Sequence, residues 1–157
     1  MTDFKNTPEL SENTDTAISY STCYQQCFLS DNMELMKTIE SNTIDLIYCD
    51  ILYGTGRKFK DYQDLKPNRI EIENHYIPRL KEMHRILNPT GSIYLQMDYK
   101  ISHWIRLIFE DIGLTLQNEI TWQYGLGNNN TKRNWQNKHD TILFATKTKD
   151  YKWNDMR

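Results

Sequence analysis

The stretch IDLIYCDILYGTGRKF, residues 44–59, joins an apolar run to a polar, basic segment. Its first six residues form an apolar run that is too short and too rich in β-branched side chains for a helix, and it predicts a buried strand. The run ends at Asp50, and a basic loop that contains two glycines follows. In an open α/β sheet, ligands bind at the carboxyl ends of the strands, so Asp50 lies where a functional residue is expected. The alternative is that Asp50 only caps the turn.

Two helices are predicted after this stretch, from apolar residues at spacings of three and four. The inward face of the first, over residues 71–87, consists of Ile72, Tyr76, Leu80, Met83 and Leu87. Pro78 either kinks this helix or marks its first turn. The second covers residues 99–113 and has Gly113 as its C-terminal cap. Its inward residues are Ile101, Trp104, Ile105, Ile108 and Ile112.

Shorter patterns complete the predicted fold. A helix capped by Ser30 or Asp31 has Met33, Met36 and Ile39 inward. Residues 88–91, NPTG, predict a turn. The remaining predicted strands are residues 23–29, 92–97, 114–124 and 139–148. The alternation of strands and helices over residues 23–113 indicates an α/β fold with parallel strands, which an antiparallel pair closes at the C-terminal end.

Length and composition set limits on the possible function. The 157 residues suit one domain, and we expect residues 1–19 to form a flexible tail before a domain at 20–157. The net charge of −2 argues against a protein that holds nucleic acid by bulk charge. Three cysteines without a CxxC pair, and four histidines without ligand spacing, indicate neither a disulfide framework nor a metal site. The polar start and the lack of a long apolar run predict a cytoplasmic protein that does not enter the membrane.

The stretch IDLIYCDILYGTG resembles the catalytic motif of amino-directed DNA methyltransferases, Asp-Pro-Pro-Tyr at the end of an apolar strand. The resemblance covers roughly residues 24–153, and it includes LSDNMELMKTIESN before the motif and NKHDTILFATKT near the C-terminus. It implies a partial Rossmann-like sheet of the kind that uses S-adenosylmethionine. The chain would be the catalytic-motif half, from the group of restriction-modification enzymes in which this motif precedes the cofactor motif.

The resemblance also implies roles for individual residues. Asp50 and a carbonyl of Ile51 or Leu52 would accept hydrogen bonds from the exocyclic amine of a flipped base, while Tyr53 would stack under that base. Asp50 would also border the cofactor. Asp31 matches an acidic position at the edge of the cofactor pocket, although a helix N-cap is an equally simple explanation.

The sequence departs from the family pattern at two points. DILY stands in place of DPPY, so neither proline that would stiffen the loop is present. The glycine motif expected to bind the cofactor is also not identified. YGLGN, residues 124–128, is not followed by an amphipathic helix, and YGTGRK, residues 53–58, lies within the catalytic region. A second polypeptide could therefore supply the missing half.

Basic residues lie where contacts to double-stranded DNA would be useful. They are Arg57, Lys58 and Lys60 after Tyr53, and Lys132, Arg133 and Lys138 with Trp135 in an Asn-rich loop that also offers Asn129, Asn130 and Gln136. A solvated basic loop is the alternative. The resemblance thus implies a DNA methyltransferase, with adenine favoured because the Asp and Tyr ends of the tetrapeptide are common in the adenine-directed members of the family. The alternative is an inactive DNA-binding or companion-subunit remnant of such an enzyme.

Overall fold

The computed structural model describes residues 18–22, 25–125, 133, 135 and 137–155. Three helices and six strands occur within these ranges. In chain order they are β1 (Ile18–Thr22), β2 (Gln25–Leu29), α1 (Asn32–Thr38), β3 (Ile44–Asp50), α2 (Arg69–Ile86), β4 (Leu87–Met97), α3 (Tyr99–Asp111), β5 (Thr115–Gln123) and β6 (His139–Thr146). All three predicted helices and all five predicted strands are present, and β1 is an additional strand.

A mixed sheet with the strand order β3-β4-β6-β5 forms the centre of the fold. β3 and β4 run parallel, whereas β6 is antiparallel to both of its neighbours. The predicted combination of parallel strands with an antiparallel C-terminal pair is confirmed. The inclusion of residues 23–29 in that arrangement was wrong, because β2 pairs with β1 in a separate antiparallel hairpin. Hairpin pairing satisfies the backbone groups of β2 locally, so its sequence pattern alone does not reveal which sheet it joins.

The predicted turn at residues 88–91 is instead part of β4. Its extra residues fall at an irregularity in the pairing with β3, where Ile44 lies opposite Leu87 but Leu46 lies opposite Ser92. A Cβ atom on Gly91 would lie 3.0 Å from the carbonyl oxygens of Ile44 and Asp45. The glycine therefore permits a close approach of the two backbones that lets the strand continue through a turn-like sequence.

All three helices pack on one face of the mixed sheet, which we call the helical face. From β4 it receives Ile93, Leu95 and Met97, all fully buried. The predicted inward faces of α2 and α3 are confirmed, with Trp104 and Ile112 only partly buried and Phe109 as a further fully buried residue. Burial of a large aliphatic side chain contributes about 1.5–3 kcal/mol, so this face stabilises the fold.

The position of Pro78 in α2 decides whether this proline can mark the first turn of the helix. The helix begins after Asn68, whose side chain caps the Glu71 N–H at 3.0 Å, and Pro78 lies in its interior at an exposed position. The alternative that Pro78 marks the first turn is therefore wrong. At the end of α3, Gly113 has a φ of 85°, which confirms it as the C-terminal glycine.

The opposite face of the sheet, which we call the open face, carries no helix among the described residues. Leu46 and Tyr48 of β3 are 61% and 53% exposed there, and Ile120 and Trp122 of β5 are also exposed. Phe144 on this face contacts Tyr94, stacked at 4.5 Å between ring centroids, and two further aromatic residues, Tyr151 and Trp153. β3 is also an edge strand.

Candidate functional site

Asp50 ends β3 beside Gln96 of β4, at the carboxyl edge of the parallel pair. Its side chain is exposed, as expected for a group that meets a ligand. In the described part of the chain no backbone N–H donates to its carboxylate. The carboxylate that caps the following turn belongs instead to Asp64.

Asp64 is a site residue that sequence reasoning missed. Its side chain is 4% exposed and accepts hydrogen bonds from the Gly54 N–H at 3.1 Å, the Thr55 N–H at 2.7 Å and the Leu65 N–H at 2.8 Å. The Thr55 hydroxyl donates to the same carboxylate at 2.5 Å. Four donors compensate the buried charge and fix the loop after the tetrapeptide. No local pattern distinguishes this aspartate from other polar loop residues.

The tetrapeptide backbone is held from outside rather than by prolines. The Ile51 N–H donates to the Gln96 carbonyl at 3.0 Å, a bond that a proline could not make. The Tyr76 hydroxyl donates to the Leu52 carbonyl at 3.2 Å. Since the Ile51 carbonyl accepts no hydrogen bond within the described ranges, it is the freer of the two predicted acceptors.

Tyr53 extends from this loop toward β6. Its hydroxyl donates to Asp140 Oδ2 at 2.9 Å and accepts from Gln96 Nε2 at 3.0 Å. Burial, together with the hydrogen bond to Asp140, raises the pKa of the Tyr53 phenol well above its usual range. The ring is therefore neutral and anchored at its outer end.

Two cavities lie on either side of Asp50, Ile51 and Leu52. The first, which we call the aromatic cavity, has a volume of about 420 Å³ and is also lined by Tyr53, Arg57 and the stacked pair Phe59 and Tyr62. The second, which we call the α2 cavity, has a volume of about 260 Å³. Its other lining residues are Asn32, Cys49, His75, Tyr76, Arg79 and Met83. The three tetrapeptide residues thus form a wall between two spaces.

Asp31 lies near the α2 cavity as the N-cap of α1. It accepts from the Met33 N–H at 2.8 Å and forms an ion pair with Arg79 at 2.8 Å. The Met33 bond, with a further contribution from Arg79, lowers the pKa of Asp31. The structure therefore shows the capping role, and the role at the cofactor edge remains a prediction.

The predicted DNA contacts divide into two groups. Arg57, Lys58 and Lys60 are exposed on the segment that follows Tyr53, and Arg57 lines the aromatic cavity. Arg133 and Trp135 are exposed, with Trp135 at 95%, while Lys138 is half-buried and its carbonyl accepts from the Tyr124 N–H. Lys132 lies outside the described residues, as do Asn129, Asn130 and Gln136.

The glycines near the site have structural explanations. A Cβ atom on Gly54 would lie 2.7 Å from Ile101 Cγ2, and the residue has a φ of 64°. Core packing and the turn therefore require this glycine without any ligand. Gly125 is in open space, and most of the rest of the YGLGN segment lies outside the described residues.

Neither a metal centre nor a membrane segment is found in the described part of the chain. It contains no group of three or more His, Cys, Asp or Glu residues placed to hold a metal ion. None of its helices combines the length and apolar character that crossing a membrane requires. His75 and His84 lie on α2, where burial lowers the pKa of both imidazoles.

A curated DNA methyltransferase is similar to most of this chain. M.HpaI, a type II methyltransferase of Haemophilus parainfluenzae, is 34% identical over 126 residues, which cover 78% of this chain and 39% of that protein. The chain therefore spans less than half the length of this relative.

Solved structures share the fold. The cytosine-N4-specific PvuII DNA methyltransferase has a TM-score of 0.61 at 14% identity, covering 81% of this chain and 50% of that one. M1.HpyAVI in complex with S-adenosylmethionine has a TM-score of 0.53 at 19% identity, covering 79% and 55%. The family model for DNA methylases of the N6 and N4 type matches residues 44–157, from the first residue of β3 onward. The chain therefore belongs to the N6/N4 methyltransferase family of DNA methylases.

Proposed function

We propose that this chain is the catalytic-motif portion of a site-specific DNA methyltransferase of a restriction-modification system, and that it acts on the exocyclic amine of a flipped base. The observation that carries the proposal is the arrangement at the end of β3. There the exposed Asp50 carboxylate, the Ile51 carbonyl, which accepts no hydrogen bond from a described residue, and the anchored Tyr53 ring border one cavity.

The chemistry of the amine explains this arrangement. The lone pair of an adenine or cytosine amino nitrogen is delocalised into the ring, which makes the nitrogen a poor nucleophile. Acceptance of both N–H bonds, by the Asp50 carboxylate and the Ile51 carbonyl, directs the lone pair away from the ring plane. The methyl group would come from S-adenosylmethionine. Adenine is the preferred substrate because the tetrapeptide begins with Asp and ends with Tyr.

A base must leave the duplex to reach these acceptors. The aromatic cavity offers Tyr53 as a stacking platform, and stacking contributes about 1–3 kcal/mol per base. Arg57, Lys58 and Lys60 lie on the adjoining segment, where they would contact the phosphates of double-stranded DNA. The site would thus bind the flipped base and the phosphate backbone of the DNA at the same time.

The α2 cavity is the candidate place for the reacting end of S-adenosylmethionine. The Asp50 carboxylate suits a positively charged sulfonium, and Met83, Cys49 and Tyr76 supply apolar surface. At about 260 Å³ the cavity accommodates only part of such a cofactor. Asp31 would approach it only from the rim, because Arg79 and the α1 N-terminus already engage its carboxylate.

The rest of the cofactor site would come from a second polypeptide, or from a further segment of the same enzyme, that covers the open face. The exposed edge of β3, with Leu46 and Tyr48 uncovered, supports this partner. Parallel strands normally have both faces buried, so the face of β3 that is uncovered among the described residues supports a further layer. A protein that acts on chromosomal DNA would lie in the cytoplasm.

A second candidate function is a DNA-binding or companion-subunit remnant without catalytic activity. It is favoured by Leu52 at the position of the second proline, since an error of about 1 Å in catalytic geometry can cost about 100-fold in rate. Calorimetric titration with S-adenosylmethionine separates the two candidates. We expect binding if the chain is part of an enzyme and none if it is a remnant.

Transfer of a labelled methyl group tests the reaction itself. The chain, together with the polypeptide or segment that supplies the rest of the cofactor site, is incubated with DNA and methyl-labelled S-adenosylmethionine, and the DNA is then hydrolysed to nucleosides. We expect label in N6-methyladenine, and none with Asp50→Ala, while circular dichroism shows an unchanged fold. Label in N4-methylcytosine would overturn the adenine preference, and undiminished transfer by Asp50→Ala would overturn the role of this carboxylate.

A further inference from the structure

Tyr53 belongs to a hydrogen-bond network that joins four segments of the chain. Its hydroxyl donates to Asp140 Oδ2 at 2.9 Å. Gln96 Nε2 donates both to the Tyr53 hydroxyl and to Asp140 Oδ2, in each case at 3.0 Å. The Tyr48 hydroxyl in turn donates to Gln96 Oε1. β3, the loop after it, β4 and β6 each contribute one of these side chains.

The network has only one polarity that satisfies all its members. Because Gln96 Oε1 accepts from Tyr48, the amide nitrogen must face Tyr53 and Asp140. The Tyr53 hydroxyl accepts from that nitrogen, so its own proton is directed to Asp140. Among the described residues, no lysine or arginine forms an ion pair with Asp140, whose Oδ2 accepts hydrogen bonds from Tyr53 and Gln96. Gln96 is only 7% exposed, which limits alternative arrangements.

The network restricts the side-chain torsions of Tyr53, which the backbone contacts of the loop leave free. The bonds to Ile51 and Leu52 fix the main chain, but a tyrosine ring still rotates about two side-chain torsions. A bond at the far end of the ring restricts both torsions at once. This matters in a tetrapeptide that lacks both prolines, because its geometry depends on contacts from outside the loop.

We infer that Asp140 and Gln96 are positioning residues that hold the Tyr53 ring at a fixed angle in the aromatic cavity, where it meets an extruded adenine face to face. The inference rests on the proposed function, since it assigns a purpose to Tyr53 as a stacking platform. It adds that the platform is set from β4 and β6 rather than by the loop itself. Without that support the ring samples other rotamers, and stacking loses its fixed geometry.

The first arm of the test observes Tyr53 in the chain without DNA. Tyrosine labelled with ¹³C at the ζ carbon reports ionisation of each phenol by NMR, and Tyr53→Phe assigns the Tyr53 signal. We expect Tyr53 to titrate at a higher pH than free tyrosine, because burial and the hydrogen bond to Asp140 raise its pKa. Besides Asp140, the charged or titratable groups near this phenol are Asp50, Tyr48 and, through Asp140, Tyr124. Asp140→Ala and Asp140→Asn should both move its titration to lower pH, whereas the exposed Asp111→Asn should not.

The second arm measures binding of a fluorescent single-stranded oligodeoxyadenylate, whose unpaired bases make the unknown recognition site irrelevant. We expect Asp140→Ala to weaken binding by roughly tenfold, a loss similar to that of one stacked base. Asp140→Asn keeps an acceptor for Tyr53 and Gln96, and it should restore most of the affinity. Tyr53→Phe should weaken binding as much as Asp140→Ala does, and the double variant should be no weaker than either.

The outcomes separate this inference from the proposed function. A Tyr53 titration that does not move in Asp140→Ala would overturn the positioning role, as would a shifted titration with unchanged oligodeoxyadenylate affinity. If the titration moves as expected but Tyr53→Ala itself leaves binding unchanged, the network exists and Tyr53 is no platform, which overturns the proposed function and this inference with it. Additive losses in the double variant would show that Asp140 acts independently of Tyr53, which also overturns the inference.

Discussion

The two faces of the mixed sheet differ in how completely they are covered. On the helical face, Ile93, Leu95 and Met97 are fully buried beneath α2 and α3. On the open face, Leu46 and Tyr48 remain more than half exposed, and Phe144 contacts Tyr94 and two aromatic residues near the C-terminal end. The candidate site lies at the end of β3, the strand in which this difference is greatest. The helical face therefore contains most of the buried core, and the open face is the surface on which we propose that the rest of the enzyme packs.

The largest expected effect on the free energy of unfolding comes from truncating a buried side chain of the helical face. Truncation of an exposed side chain of the open face serves as the comparison. Leu95→Ala should lower the free energy of unfolding by about 2–5 kcal/mol, because it opens a cavity beneath the helices. Leu46→Ala should change it by less than about 0.5 kcal/mol, because the side chain is already exposed. Urea titration followed by circular dichroism measures both. Equal losses would show that the open face contributes as much to folding as the helical face.

Removal of the Asp64 side chain should cause the next largest loss of stability. It should also loosen the loop after the tetrapeptide, at the candidate site. Asp64→Ala leaves the N–H groups of Gly54, Thr55 and Leu65 without their acceptor, at a cost of about 1–3 kcal/mol. Hydrogen exchange should accelerate at residues 54 and 55 and stay unchanged in α3. The exposed Asp61→Ala serves as the matched control. Unchanged exchange in the Asp64 variant would mean that the loop is held by other contacts.

Proline substitutions in the tetrapeptide give opposite expectations at adjacent positions. Ile51→Pro removes the N–H that donates to the Gln96 carbonyl and should destabilise the chain by about 1 kcal/mol. The Leu52 N–H donates no hydrogen bond within the described ranges, so Leu52→Pro should stay within about 1 kcal/mol of the wild type. Thermal unfolding compares the two. A larger loss for Leu52→Pro would show that the loop geometry excludes the usual proline at that position.

The smallest expected effect is a pH dependence of the free energy of unfolding that comes from His84 on α2. Burial, with Lys147 nearby, lowers the pKa of His84 in the folded state below its unfolded value. The folded state then binds fewer protons than the unfolded chain, so stability falls as the pH drops below the ordinary histidine range of about 6.5. His84→Gln should reduce this acid loss, while Lys81→Gln on the same helix should not. Unfolding curves between neutral and mildly acidic pH would contradict this origin if the His84 variant lost as much stability as the wild type.

Local patterns in the sequence predicted the elements that build the helical face. The spacings in α2 and α3 and the apolar run of β3 are properties of short segments, and they identified most of the core. β1 and the pairing partner of β2 were missed because hairpin pairing leaves no periodic signal that distinguishes one sheet from another.

The candidate site was only partly predictable for the same physical reason. Asp50 and Tyr53 are marked by their place after a strand and by family resemblance. Asp140 bonds to Tyr53 across 87 positions of the chain, and Asp64 bonds to Gly54 across 10. Nothing local distinguishes either aspartate from a solvated one, so only the folded chain reveals them.

The central claim is that Asp50, Ile51 and Tyr53 hold a base that has left the duplex. The most direct measurement compares binding to two labelled duplexes that are identical except that one adenine faces thymine in the first and an abasic site in the second. We predict tighter binding to the unpaired adenine by roughly tenfold, because the cost of extrusion is smaller, and loss of this difference in both Asp50→Ala and Tyr53→Ala. Equal affinity of the wild-type chain for the two duplexes would contradict the account.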